Sequence, residues 1–266
     1  ITAMSRKSLV MTNDCTVFAY ACEVVKLRNK RYEEKISPVF YANSYLSMLA
    51  MQPPPELLAP AGSLEKLKTA IHYGADAVYL GGKAFGLRAK AVNFDSDELT
   101  QAVAFAHGRN VRVFVTVNIM AHNRDLAALP AYLRELSELG VDALIISDPG
   151  IFRMAREIVP EMTIHISTQA NITNRESALF WQDMGASRVN LARELSLPEI
   201  AEVTKALTAK VEVFVHGALC ISYSGRCMLS HYLTGRDANK GACAHPCRYN
   251  YRLEEEKRPG EYFPVV

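Results

Sequence analysis

The chain has 266 residues, is 49% hydrophobic and carries a formal net charge of +2. It is long enough to bury a full core in one large α/β domain or two small ones. The charge balance gives no general polyanion signal, so any nucleic-acid contact needs a local basic patch, which the sequence neither demands nor excludes. No stretch approaches the ~20 apolar residues needed to span a bilayer, and the apolar run Cys15–Cys22 has no small-residue cleavage site behind it. The reading is a cytoplasmic protein with no membrane partner.

Residues 1–55 look foreign to the rest of the chain. The segment is mildly basic and ends on Pro53-Pro54-Pro55, a stiff linker. Cys15 and Cys22 stand seven apart, so on a helix they share one packing face. The segment is an N-terminal extension of unclear status.

From Glu56 the organisation changes. Leu57-Leu58-Ala59-Pro60 is a short apolar run, and Ser63 is placed to cap a helix with Leu64, Leu67 and Ile71 on its apolar face. That helix stops at Gly74, and Ala77-Val78-Tyr79-Leu80 reads as a buried strand. The phrase recurs at Gly140 before Ala143–Ile146 and at Gly185 before Arg188–Leu191. Further strands fit at Val111–Val117, Thr163–Ser167 and Val211–Val215. Capping boxes at Asp95-x-x-Glu98 and Ser196-x-x-Glu199 open two helices, the first followed by the stripe Leu99, Ala102, Val103 and Ala106. Strands alternating with helices imply a parallel sheet covered on both faces. Seven strands are one short of a closed eight-stranded barrel, and the eighth is expected beyond Val266. The fold class is therefore α/β, a TIM-like (β/α) barrel over 56–217 lacking its last strand. A Cys-rich irregular segment over 218–266 comes after it.

That segment has no clear periodicity and needs something besides a hydrophobic core to order it. Four of the six cysteines fall within 28 positions, spaced Cys220-x6-Cys227-x15-Cys243-x3-Cys247. A large chain has little need of disulfide staples, so the spacing points to a metal site. Structural zinc sites pair cysteines two to four apart in two knuckles, and only the second pair is that close. Iron–sulfur clusters accept wider spacing. Spacing alone leaves iron–sulfur, zinc and unligated or redox cysteines open.

Barrel enzymes gather functional residues at the C-terminal ends of strands. By that rule Tyr79, Asn118, Asp148, Gln169, Arg193 and His216 face one mouth. An arginine such as Arg193 can grip a carboxylate with two parallel bonds. His165, inside a strand, reads as a core histidine. Arg226, Arg236, Lys240 and Arg248 surround the cysteines and either offset negative charge, contact phosphates or form a solvated face. Tyr249 and Tyr251 either pack there or stack on a base.

His216-Gly-Ala-Leu-Cys220-Ile-Ser-Tyr-Ser-Gly-Arg226-Cys227-Met-Leu-Ser230 resembles the signature of the collagenase-like peptidase family of undefined catalytic type. Glu56–Gly62, Gly74–Tyr79, Ser147–Gly150, Ser167–Gln169 and Arg193–Ser196 match the same family in order, so the resemblance covers about 56 to 266. Gly241–Tyr251 and Arg258–Tyr262 are similar to its branch of tRNA hydroxylation proteins. Those proteins make 5-hydroxyuridine at the wobble position, with prephenate implicated. Relatives in another branch hydroxylate quinone precursors without oxygen on a four-iron cluster.

The resemblance implies an iron–sulfur cluster (4Fe-4S, with zinc as the alternative metal) on Cys220, Cys227, Cys243 and Cys247. It implies tRNA as partner, a small dicarboxylate such as prephenate as co-substrate, and a protein partner for electron transfer. Arg88, Arg193, Tyr79 and Asp148 are then the substrate-binding candidates, and His216, Gln169 and Asn118 the catalytic ones. A peptidase is the alternative, with His216 and Cys220 as its pair. Neither a Gly-x-Ser-x-Gly elbow nor His-Glu-x-x-His is present to support it. The remaining alternatives are hydroxylation of a quinone precursor and a non-catalytic subunit stapled by the cluster.

Overall fold

The structure is a computed structural model that describes residues 8–11, 55–86, 93–217, 220–254, 257–258 and 260–265. Cys15, Cys22, Pro53, Pro54 and Arg88 lie outside these. Strand β1 is Ser8–Met11. The repeat then runs β2 (Leu57–Pro60), α1 (Leu64–His72), β3 (Ala77–Gly81), α2 (Ser96–His107) and β4 (Arg112–Val117). It continues through α3 (Asn123–Leu126), α4 (Leu129–Glu138), β5 (Ala143–Ile146), α5 (Pro149–Ile158), β6 (Ile164–Ile166) and α6 (Arg175–Asp183). It ends with β7 (Arg188–Asn190), α7 (Leu197–Ala206) and β8 (Lys210–Phe214). Beyond lie α8 (Leu229–Thr234) and a hairpin of β9 (Tyr251–Glu254) and β10 (Tyr262–Val265).

Strands β2 to β8 pair in sequence order, all parallel. These are the seven strands read from the sequence. The eighth position, expected from beyond Val266, is taken in this structure by a strand from the N-terminal segment. Strand β1 lies antiparallel to both β2 and β8 and closes the barrel, with Leu9 opposite Leu57 and Val213. A four-residue strand carries too little periodicity to be seen, yet it covers both edges of an otherwise open sheet.

The local signals work as their chemistry requires. Ser63 accepts the Lys66 N–H at 3.3 Å, and Asp95 with Glu98 forms a reciprocal capping box. Leu99, Ala102, Val103 and Ala106 are buried against the outer face of the sheet. Gly74, Gly140 and Gly185 each end a helix at positive φ. At Gly140 φ is 72° and an added Cβ would meet nothing within 4 Å, so only the backbone objects to a side chain. Gly140→Ala is therefore expected to cost about 1–2 kcal/mol, read from the midpoint of urea unfolding.

Residues in register across parallel strands share a face, and this separates two layers. The outer face meets the helices through the large aliphatic core. The inner face holds a small apolar plug, Leu58, Ala77, Phe114, Ala143 and Ile145 with Tyr79 against it. Alongside that plug sits an ionic layer. Arg188, 1% exposed, reaches Glu56 at 3.0 Å and Glu212 at 3.5 Å and lies over the Phe114 ring. Arg112 pairs with the same Glu56. His165 packs edge-on against Phe114 at 4.6 Å, a core histidine as expected. Burial and the facing Arg188 hold its pKa well below the ordinary imidazole value. No helix among the described residues is long and apolar enough to cross a membrane.

Candidate functional site

Above the plug, at the C-terminal ends of the strands, a cavity of about 530 Å³ opens. Tyr79, Asn118, Gln169, Arg193, His216 and Cys220 all line it. The placement follows from the parallel sheet, which delivers the end of every strand to the same rim. Asn118, just past β4, is buried and donates through Nδ2 to Ser167 Oγ at 3.2 Å and Gln169 Oε1 at 3.2 Å. Ser167 donates to the same Gln169 oxygen, so three polar side chains form one closed cluster at the wall. His216 and Cys220 sit exposed at the rim, and no hydrogen bond joins them among the described residues.

Asp148 does not join this group. Its carboxylate caps α5, accepting the Ile151 N–H at 3.0 Å, with Pro149 at the first helical position. An Asp-Pro pair after a strand is a helix start as much as a strand end, and here the helix takes the side chain. Arg88 lies outside the described residues.

Two lining residues went unremarked in the sequence. Asn190 ends β7 and stands in register with Glu212 of β8. Its Nδ2 donates to Glu212 Oε1 at 2.6 Å, while its Oδ1 is buried without a partner. Burial drives the Glu212 pKa up to about 7, although Arg188 and Asn190 both favour the charged form. A signal was present: Arg188 and Asn190, and Lys210 and Glu212, alternate with apolar residues at period two, which puts all four on the inner face. Arg193 adds a further open valence, a buried Nε without a partner.

The Cys-rich segment is tied across this mouth by polar contacts. Ser224, fully buried at φ 45°, takes Glu194 on its N–H at 2.8 Å and donates to Asn171 Oδ1 at 2.6 Å. Arg226 donates to the Gln169 carbonyl at 2.9 Å, and Lys240 pairs with Asp125. Arg236 holds the carbonyls of Ala242 and Cys243 at 3.0 and 3.2 Å. These cations therefore fasten the segment, and three of the four basic residues near the cysteines are engaged in this way. Tyr249 and Tyr251 likewise donate to the carbonyls of Ala244 and Pro246.

The four cysteines are unpaired thiols. Among the described residues no three His, Cys, Asp or Glu side chains stand close enough to hold one metal ion. Cys220 and Cys247 are exposed, and Cys227 and Cys243 half-buried. A hydrogen bond from Ser222, helped by the N–H groups of Ser230 and Leu229, lowers the Cys227 thiol pKa against a desolvation penalty. The His245 N–H donates to Cys243 Sγ at 3.3 Å. One thiol is thus prepared for its anionic form.

The chain is 47% identical over 199 residues to tRNA hydroxylation protein P1 of Bacillus subtilis, covering 75% of this chain and 47% of that protein. It is 47% identical over 204 residues to tRNA hydroxylation protein P of Escherichia coli, covering 76% and 45%. It is 33% identical over 213 residues to a collagenase of Porphyromonas gingivalis, covering 76% and 51%. The chain thus spans about half the length of these relatives. A solved U32 peptidase structure superposes with a TM-score of 0.50 at 17% identity, over 58% of this chain and 66% of that one, which shows the shared barrel. The Peptidase family U32 profile matches residues 62–263, and the chain belongs to that family.

Proposed function

We propose that this chain is the barrel part of an RNA-hydroxylating enzyme acting on a pyrimidine of tRNA, at the wobble uridine in the reading that the sequence favours. The observation that carries this is the identity of 47% to two relatives named for tRNA hydroxylation. A relative named 23S rRNA 5-hydroxycytidine C2501 synthase, at 42% identity, keeps the same chemistry on another RNA.

The site supports the reading in physical terms. A cavity of about 530 Å³ lies in the range that takes a nucleoside or a small metabolite. A base must leave its stack to enter it, and the closed Asn118–Ser167–Gln169 cluster gives such a base a rigid polar wall. The buried, unpartnered Nε of Arg193 is a donor open to a carboxylate of a small dicarboxylate co-substrate such as prephenate. In this scheme the chain's own residues bind, orient and exclude water. The cytoplasm, where tRNA is modified, is the matching location.

The test is deletion of the gene followed by nucleoside mass spectrometry of tRNA. Loss of 5-hydroxyuridine, restored by the full natural chain and not by its Gln169→Ala variant, is expected. An unchanged modification level in a host with no second family member would remove the proposal. Iron and sulfide analysis after anaerobic purification decides separately whether the four cysteines close around an inorganic cluster.

A further inference from the structure

The cavity wall holds one acceptor whose orientation is set from behind. An asparagine amide has a donor end and an acceptor end of nearly the same shape, so its neighbours decide which end faces which way. At Asn190 the decision is made by Glu212, whose Oε1 takes the Nδ2 group at 2.6 Å. With that oxygen accepting, Nδ2 faces Glu212 and Oδ1 faces elsewhere. That Oδ1 is buried, in a residue 6% exposed on the cavity wall, and it has no partner. Buried acceptors are nearly always matched, so an unmatched one beside a cavity is a place for a ligand donor.

Glu212 is itself held by what surrounds it. Arg188 of β7 stands 3.5 Å from its Oε2, with Glu56 and Arg112 beyond, and Lys210 and His165 on the same inner face. Arg188 fixes the carboxyl in place and favours its charged form, while burial, the larger influence, pushes its pKa up to about 7.

We propose that Asn190, oriented by Glu212, is the residue by which this cavity selects a uracil-type base over a cytosine-type base. Uracil presents a ring N3–H donor, which satisfies Oδ1. Cytosine presents a bare N3 acceptor at the same edge, which sets two lone pairs against each other. Asn190 is thus the contact and Glu212 the positioning residue. The inference deepens the RNA-hydroxylation reading and rests on it.

The experiment measures binding of the full natural chain to fluorescein-labelled single-stranded RNA by anisotropy. The oligonucleotides differ at one central nucleotide: uridine, cytidine or 3-methyluridine, the last carrying a methyl in place of the N3 proton. For the unmodified protein, uridine is expected to bind about tenfold tighter than either alternative, the size of one well-made hydrogen bond against an unpaired buried acceptor. Asn190→Ala should bind all three within about twofold. Glu212→Gln frees the amide to turn its donor end outward, so the cytidine affinity should rise toward that of uridine. A merely structural Glu212 would weaken all three together. Thermal melting reports whether each variant folds, and Asn190→Ser serves if the alanine variant does not. Retention of the tenfold preference in Asn190→Ala or Asn190→Ser overturns the inference and leaves the RNA reading standing, as does equal binding of all three by the unmodified protein. Failure of the unmodified protein to bind any of these RNAs overturns both.

Discussion

Arg188→Ala is expected to lower the free energy of unfolding by about 3–5 kcal/mol, the largest loss of any single polar substitution in the barrel. The guanidinium is 1% exposed and stands between two carboxylates that are themselves nearly buried, Glu56 at 3.0 Å and Glu212 at 3.5 Å. Ion pairs of this kind contribute little net stability when intact, because desolvation offsets attraction. Removing one member is different, since the partners stay buried without their counter-charge. Arg112 still pairs with Glu56, so the unrelieved cost falls mainly on Glu212. Urea unfolding at pH 7.5 measures the loss. Arg188→Met combined with Glu212→Gln removes charge from both sides and should recover much of it. A loss below about 1 kcal/mol for Arg188→Ala would mean that the interior ion pairs are not formed.

Stability should also fall as pH rises from about 4.5 through about 7, through the same layer. Glu212 has its folded pKa raised to about 7 from an ordinary value of 4.5. A raised acid favours the protonated folded state, so its contribution is complete below pH 4.5 and is lost as pH rises through about 7. The loss is on the order of 3 kcal/mol. His165 works the other way. Its folded pKa lies well below 6.5, so its contribution is present above pH 6.5 and disappears as pH falls. The two slopes therefore oppose each other below pH 6.5, and the Glu212 loss stands alone between pH 6.5 and about 7. In Glu212→Gln the fall toward pH 7 should disappear while the His165 loss at low pH remains. Denaturant titrations from pH 5 to 8.5 on both proteins show this as a widening gap. Parallel curves would sink the assignment of a buried, neutral-prone carboxyl at Glu212.

Much of the scaffold was legible because its signals are local. Ser63, Asp95 and Ser196 start helices by bonding N–H groups three residues away, and Gly74, Gly140 and Gly185 end them through positive φ. Such effects act within a turn or two, so the seven parallel strands could be placed between them. Strand β1 could not, since its four residues gain their place only from edges lying some 50 and 200 positions away. The mouth was legible through one geometric rule, which gathers Tyr79, Asn118, Gln169, Arg193 and His216. That rule misleads at Asp148, where helix capping competes for the same carboxylate. The inner ionic layer was hidden for a related reason. Arg188 and Glu212 look like surface residues one by one, and only their alternation shows that they point inward. The cysteine spacing points to a shared role, but the contacts of Arg226, Lys240 and Ser224 that fasten the segment reach too far along the chain to be read from it.

The packed interior below the cavity turns the barrel into a vessel with a floor. Phe114, Leu58 and Ala143, 0–1% exposed, and the charges beside them fill the inner face below the mouth among the described residues. Whatever enters from the mouth meets this packed layer and leaves by the mouth again. Visits to the site are then sequential by geometry, and a spent molecule that lingers keeps the next one waiting outside.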